Sequence, residues 1–445
     1  MSKATRSSVV GERARSLFRD APPDSATPVR LASEEAGDRA FAVLGWGLFA
    51  LSFLKGFRLP SLWCATHFTF NYSQGFVRRG LVGELARRIG GDDVYKYDVF
   101  TAFSFFVMSA LIVLFALAAR RALRARSRDW ILRVSLLVLA ASPGMVFLVH
   151  AVGYFDLIGL SALLAFLLWA GRTRRDLAIF YVLLPLGLAL ALVHEGLIVM
   201  FGPSAMFIAL CHFLRSWDRR PMAKLRVGLA CAHLVVSASL VAALLIALSG
   251  TISEDRVHRL YVFAVHHADF AVRADAFEVF NTSARYNILT KIPAFWRIPS
   301  ERAIALSGQI GFLPGFLFLV FCGARQIWSA RRPWPARAAL LLVFMAAALS
   351  PELMNFIGWD WPRWNSMALM TCAICTVAYR SYFPAAAQPR PSLAVLTTGL
   401  LLAAVGLTST TRLFDDYQVQ FFPFDRQFEL IERVLERASP FGPRS

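Results

Sequence analysis

The run Asn71–Glu84, NYSQGFVRRGLVGE, sets two adjacent arginines in a polar stretch of an otherwise apolar chain. Arginine's planar fork matches phosphate oxygens bidentately and keeps its charge. Gly75 and Gly80 let the backbone approach a ligand closely. Arg78 and Arg79, with Tyr72 and Gln74 beside them, therefore read as a phosphate- or pyrophosphate-binding group. The competing reading has the two arginines snorkelling to lipid headgroups.

Other places carry comparable chemistry. His194-Glu195-Gly196 interrupts a long apolar run, where a carboxylate is costly to insert. It reads either as catalytic, with Glu195 a general base beside His194, or as a polar clamp between helices. Asp156 opens an apolar segment just after Gly153-Tyr154-Phe155, as a helix cap or as a catalytic carboxylate. Asp360 and Arg363 stand among Trp359, Trp361 and Trp364, a platform for a sugar ring or prenyl chain, or an interfacial belt. No metal or cofactor is expected. The His-Glu pair lacks the second histidine of HExxH, and His266 and His267 cannot both face one site on a regular helix.

The elements that must position these residues are membrane helices. Of 445 residues, 57% are hydrophobic, and mean hydropathy is +0.53. Both lie above the range of soluble domains. The expected fold is all-α, a polytopic transmembrane bundle of about eleven spans. These are 41–56, 98–119, 131–149, 157–171, 177–193, 196–214, 227–249, 304–323, 336–351, 365–380 and 392–410. Residues 1–40 read as a disordered cytoplasmic tail, 41–410 as the bundle, and 411–445 as a periplasmic tail with a short amphipathic helix at 426–437.

The net charge of +18 does not imply nucleic acid, because most arginines cluster between apolar segments. Arg120–Arg133 holds six, Arg172–Arg175 three, Arg215–Arg226 four and Arg325–Arg337 four. Alternating spans put these connections and the N-terminus on one side, the cytoplasmic side by the positive-inside rule, and the C-terminus outside. The outer connections 57–97, 150–156, 193–196, 250–303 and 352–364 then hold every motif above. Of the six cysteines, Cys372 and Cys375 form a CxxC within a predicted span, where packing explains them better than metal or redox chemistry.

With its many spans, functional first outer loop and large later outer loop, the chain resembles bacterial inner-membrane enzymes of surface-polysaccharide assembly. These are the GT-C-type glycosyltransferases and the Wzy-type O-antigen or capsule polymerases. SQGFVRRGLVG also resembles stretches of uncharacterised membrane proteins. The resemblance implies glycosyl transfer or polymerisation from a polyprenyl-(pyro)phosphate-linked sugar or oligosaccharide at the periplasmic face of the inner membrane. Arg78, Arg79 and Arg363 would match the polymerases' outer-face arginines. The first outer loop has Glu84, Asp92 and Asp93 but no DxD, which favours metal-free chemistry. Glu195 or Asp156 is the expected base. The alternative is a flippase or transporter of lipid-linked oligosaccharide, or another membrane transferase. Oligomeric state is left open.

Overall fold

A computed structural model describes residues 28–124, 129–173, 176–217, 252–282, 284–330, 332–356, 360–383 and 392–408, with a few positions between 228 and 242. The chain divides into two units, Met1–Leu44 and Gly45–Ser445, and every motif-bearing segment belongs to the second. The first unit's tail up to residue 27, most of the predicted span 227–249 and the predicted tail helix lie outside the described residues.

Among the described residues the regular structure is helical, without strands. The helices are α1 (Pro28–Gly56), α2 (Leu62–Phe68), α3 (Leu81–Gly90), α4 (Tyr97–Arg124), α5 (Trp130–Ala141), α6 (Pro143–His150) and α7 (Asp156–Ala170). They continue with α8 (Asp176–Val193), α9 (Gly196–Trp217), α10 (Glu254–His267), α11 (Pro299–Trp328), α12 (Trp334–Leu349), α13 (Trp361–Tyr382) and α14 (Leu393–Thr408). Short helical turns fill 274–297 and 350–356.

Five helices are long and apolar enough to cross a membrane, and the pair α5–α6 makes a sixth if it is one broken span. The predicted span 131–149 is this pair, bent by 54°. Ser142 causes the break: its side chain caps α6 at Met145 N, and Pro143 follows at the first helical position. Among the other predicted spans, α7, α8 and α14 are apolar but shorter. Helix α13 carries too many polar residues for that set, and it is buried along nearly its whole length.

The connections sort by end. At one end Arg121 donates to Gly171 O, Arg332 to Leu214 O, and Arg380 pairs with Asp129. These contacts join the arginine-rich connections. At the other end Arg58 donates to His150 O, Tyr97 Oη to Pro60 O, and Arg363 pairs with Asp156. The motif-bearing segments meet there.

A small outer layer covers the motif end. Helix α10 and the turn Ala274–Phe280 pack Leu260, Phe277 and Phe280 against Phe70 and Val77 of the first outer segment. Arg256 clasps Gln74 O through Nε and Nη2 (2.9 and 2.5 Å). Asp269 Oδ1 accepts from Tyr97 N at the start of α4 (2.7 Å).

Gly153, between α6 and α7, has φ +92°. A Cβ there would sit 3.0 Å from Pro60 and 3.2 Å from both Cys64 and Phe100. Gly153→Ala should therefore destabilise the protein by more than about 1 kcal/mol. Gly47→Ala, inside α1 with open space around it, should be neutral or stabilising by up to about 1 kcal/mol. Equal melting temperatures for the two variants in detergent would refute the claim.

Candidate functional site

The first outer segment is wired internally before it meets anything else. Asn71 Oδ1 accepts from Ser73 N (2.8 Å), an Asx turn, while its Nδ2 donates to Thr69 O (2.9 Å) and Tyr95 Oη (3.0 Å). Glu84 reaches back to accept from Tyr72 N (3.1 Å) and holds Arg87 and Arg88. Burial pushes the Glu84 carboxyl up, but hydrogen bonds from the two arginines outweigh it and hold the group at about 2. Its anchoring is thus complete above the ordinary carboxylate value and fades as pH falls toward 2. Limited proteolysis of this segment should be unchanged between about pH 7 and about pH 5, and faster at both in Glu84→Gln. An increase in the native protein over that window would refute the assignment.

This wiring delivers Arg79 to the bundle in a left-handed conformation, φ 62°. Among the described residues it is the one non-glycine with positive φ. Such strain costs about 1–3 kcal/mol and marks functional positions. The Arg79 guanidinium forks onto Glu195: Nε lies 3.2 and 3.1 Å from the two oxygens, and Nη2 lies 2.7 Å from Oε1. Its Nη1 makes no hydrogen bond among the described residues.

Arg78 has a different role. Its Nη2 donates to Thr282 O (2.8 Å), stitching the outer layer down, and its Nη1 lies 4.0 Å from Glu195 Oε1. Its buried Nε has no partner among the described residues. Burial lowers the Arg78 guanidinium to about 10, with Glu195 opposing that shift. Two guanidiniums share one carboxylate here, leaving one net positive charge.

Glu195 and His194 sit in the gap between α8 and α9. His194 Nδ1 accepts from Gly196 N (3.0 Å) and so starts α9. Burial and the nearby Arg79 hold this imidazole neutral, well below its ordinary value. Burial raises Glu195, but the charge of Arg79 prevails and keeps it ionised.

Arg363, at the start of α13, is sandwiched between the rings of Tyr154 (4.7 Å) and Trp364 (4.5 Å). It holds both oxygens of Asp156, Nη2 lying 3.1 Å from Oδ1, and donates from Nη1 to Asp360 (3.1 Å). Asp156 is fully buried and caps nothing in α7, which has no side-chain cap. Its carboxylate is engaged on both oxygens, which suits a positioning residue better than the base expected from sequence. Asp156 lies in the first turn of α7, where its charge favours the helix start, without a side-chain cap hydrogen bond.

A narrow cavity joins the two clusters, lined by Trp63, His67, Arg79, Tyr154, His194 and Arg363, among others. The space open to a water's centre is about 20 Å³, the size of one water or one hydroxyl. The sequence-predicted Arg79, His194 and Arg363 come together here, with Glu195, Asp156 and Asp360 hydrogen-bonded or adjacent to them. Tyr72 and Gln74 do not line it. Tyr72 stacks on Phe76, and Gln74 faces α10, where Arg259 donates to its Oε1 (3.2 Å). Trp361 begins α13 outside the lining, and Trp359 lies outside the described residues. His67 and Trp63 were missed; their one sequence signal is the i, i+4 spacing that sets both on one side of α2.

A second, larger cavity has a volume of about 570 Å³. Its walls are nearly all apolar, drawn from α7, α8, α9 and α12. Leu190 and Ile198, one turn before and one turn after His194, belong to its lining.

The fold and site define a helical membrane protein with a buried polar centre at one end of its bundle. The chain belongs to the family described as uncharacterised membrane protein Rv1490, whose model matches residues 39–275. That stretch holds His67, Arg78, Arg79, Asp156, His194 and Glu195. Uncharacterized protein Rv1490 of Mycobacterium tuberculosis (strain ATCC 25618 / H37Rv) is 25% identical over 394 residues, spanning 81% of this chain and 87% of its own length. Uncharacterized protein Mb1527 of Mycobacterium bovis (strain ATCC BAA-935 / AF2122/97) is similar to the same extent. No solved structure matches the chain.

Proposed function

We propose that this protein is a glycosyltransferase or polysaccharide polymerase of the bacterial inner membrane, using a polyprenyl-(pyro)phosphate-linked sugar at the periplasmic face. The observation that carries the reading is an arginine centre with one net positive charge at the α8–α9 break, with Leu190 and Ile198 on either side of that break lining an apolar cavity of about 570 Å³. A lipid phosphate needs both: guanidinium donors for its oxygens and a dry channel for its chain. In this reading Arg78 and Arg79 offset charge developing on the leaving phosphate. Glu195 orients Arg79, while Asp156 and Asp360 orient Arg363. The buried Asp129–Arg380 pair at the opposite end favours transfer over transport.

The test compares binding of a polyprenyl monophosphate and the corresponding polyprenol to the full-length protein in nanodiscs, by native mass spectrometry. The phosphate should bind at least about tenfold more tightly, a difference of about 1.4 kcal/mol, and Arg79→Ala should erase the difference. Equal binding of both lipids to the native protein would sink the proposal. In cells, the same variant should accumulate polyprenyl-linked saccharide and lose surface polysaccharide.

A further inference from the structure

We infer that His67 is the proton acceptor of this site, receiving the acceptor hydroxyl's hydrogen on Nε2; the inference rests on the transfer reading above. His67 sits near the end of α2, 5% exposed. Its Nδ1 lies 2.9 Å from Trp63 O. A carbonyl only accepts, so Nδ1 carries the hydrogen and Nε2 presents a lone pair. The ring is fixed by Trp63 (centroids 3.8 Å apart) and Phe70 (4.7 Å). Nε2 is buried without a partner among the described residues, and His67 lines the cavity beside Arg79 and Arg363.

The base candidates read from the sequence are engaged. Glu195 is forked by Arg79, Asp156 by Arg363, and His194 Nδ1 accepts from Gly196 N. An acceptor nitrogen beside guanidiniums recognises a hydroxyl placed next to an anionic oxygen, and the cavity is the size of one such group. In the reaction, the hydroxyl oxygen bonds to the sugar's anomeric carbon as that carbon's bond to the phosphate oxygen breaks. The electron pair leaves on the phosphate, held by Arg79, and the hydroxyl proton passes to Nε2. The imidazolium then returns its proton to the departing phosphate or to water.

The charged and titratable groups facing this ring are Arg79 from the first outer segment, His194 and Glu195 from the α8–α9 gap, and Arg363 from α13, with Cys64 and Tyr154 also along the wall. Burial first, then Arg79, lowers the imidazole to about 3. An anion entering beside it reverses the second effect and readies the base only when substrate is present.

The experiment follows the imidazole directly. The full-length protein, labelled with nitrogen-15 at its eight histidines, is titrated by NMR in nanodiscs from about pH 7 to about pH 3. It is titrated alone, with polyprenyl monophosphate, and with inorganic pyrophosphate. His67→Asn, which can still donate to Trp63 O, identifies the resonance, with His67→Gln as the second variant. The expected result is a midpoint raised by about 1–3 pH units with either anion. The variants should also accumulate lipid-linked saccharide in cells while still binding polyprenyl phosphate. If the lipid phosphate binds and the His67 midpoint stays put, His67 is not the acceptor, and the lipid reading survives. If pyrophosphate alone moves it, the lipid reading fails and His67 keeps its place. No movement with either anion overturns the inference.

Discussion

Arg79→Ala should lower stability by about 3 kcal/mol, because it leaves the buried Glu195 carboxylate with only Arg78, at 4.0 Å. The range for breaking a buried pair is about 3–5 kcal/mol. The 15% exposure of both side chains sets the expectation at the lower end. The backbone supplies a second, separable term. Arg79 holds φ 62°, so Arg79→Gly should be more stable than Arg79→Ala by about 1 kcal/mol although both remove the same charge. Adding Glu195→Gln to Arg79→Ala should restore part of the lost stability, since the buried carboxylate is gone while Arg78 keeps its bond to Thr282 O. It should not restore polyprenyl phosphate binding. Unfolding in denaturing detergent, read by tryptophan fluorescence, gives the stabilities. A double variant that recovered both properties would make the pair purely structural.

The second large effect is expected at Arg363. Asp156 has no exposure, and the guanidinium lies between two aromatic rings. Arg363→Leu should cost about 3–5 kcal/mol by leaving Asp156 charged and alone. Asp156→Asn should cost less, because Arg363 keeps Asp360 as a partner at 3.1 Å. The double variant should fall between native protein and Arg363→Leu. If Arg363→Leu unfolds with the native protein, the buried pair contributes nothing and α13 is positioned by apolar contacts alone.

What could be read from the sequence was whatever the membrane makes expensive. Glu195 stands out because a carboxylate between two apolar runs has few explanations. The helix ends at Val193 and restarts at Gly196 as that polar break requires. Arg78 and Arg79 stand out for the same reason, and so do the opposite ends taken by basic and motif-bearing connections. The bend at Ser142-Pro143 carries a signal, a proline and a glycine inside the run, but the apolar residues on both sides read as one span. His67 was not legible. A single histidine in LWCATHF carries no pattern, and its chemistry comes from Arg79 and Arg363, which arrive from distant segments. Gln74 shows the converse: a polar loop residue beside arginines serves equally well to meet another loop, and here it meets α10. The separate duties of Arg78 and Arg79 depend on Thr282, which lies far along the chain.

Helix α13 has a consequence for how the protein is made. It is 22 residues long and buried along nearly its whole length, yet it carries Arg363, Asn365, Thr371, Thr376 and Arg380. A segment of that composition partitions poorly into lipid by itself, since intramembrane polar and charged residues are stable only when they face protein partners. It becomes favourable once Asp156 and Asp129, both made earlier by the ribosome, stand ready to receive its two end arginines. The expected order of biogenesis has the chain made before α13, which holds both aspartates, receive this late helix, and substitutions at Asp129 or Asp156 should appear first as failed integration of α13.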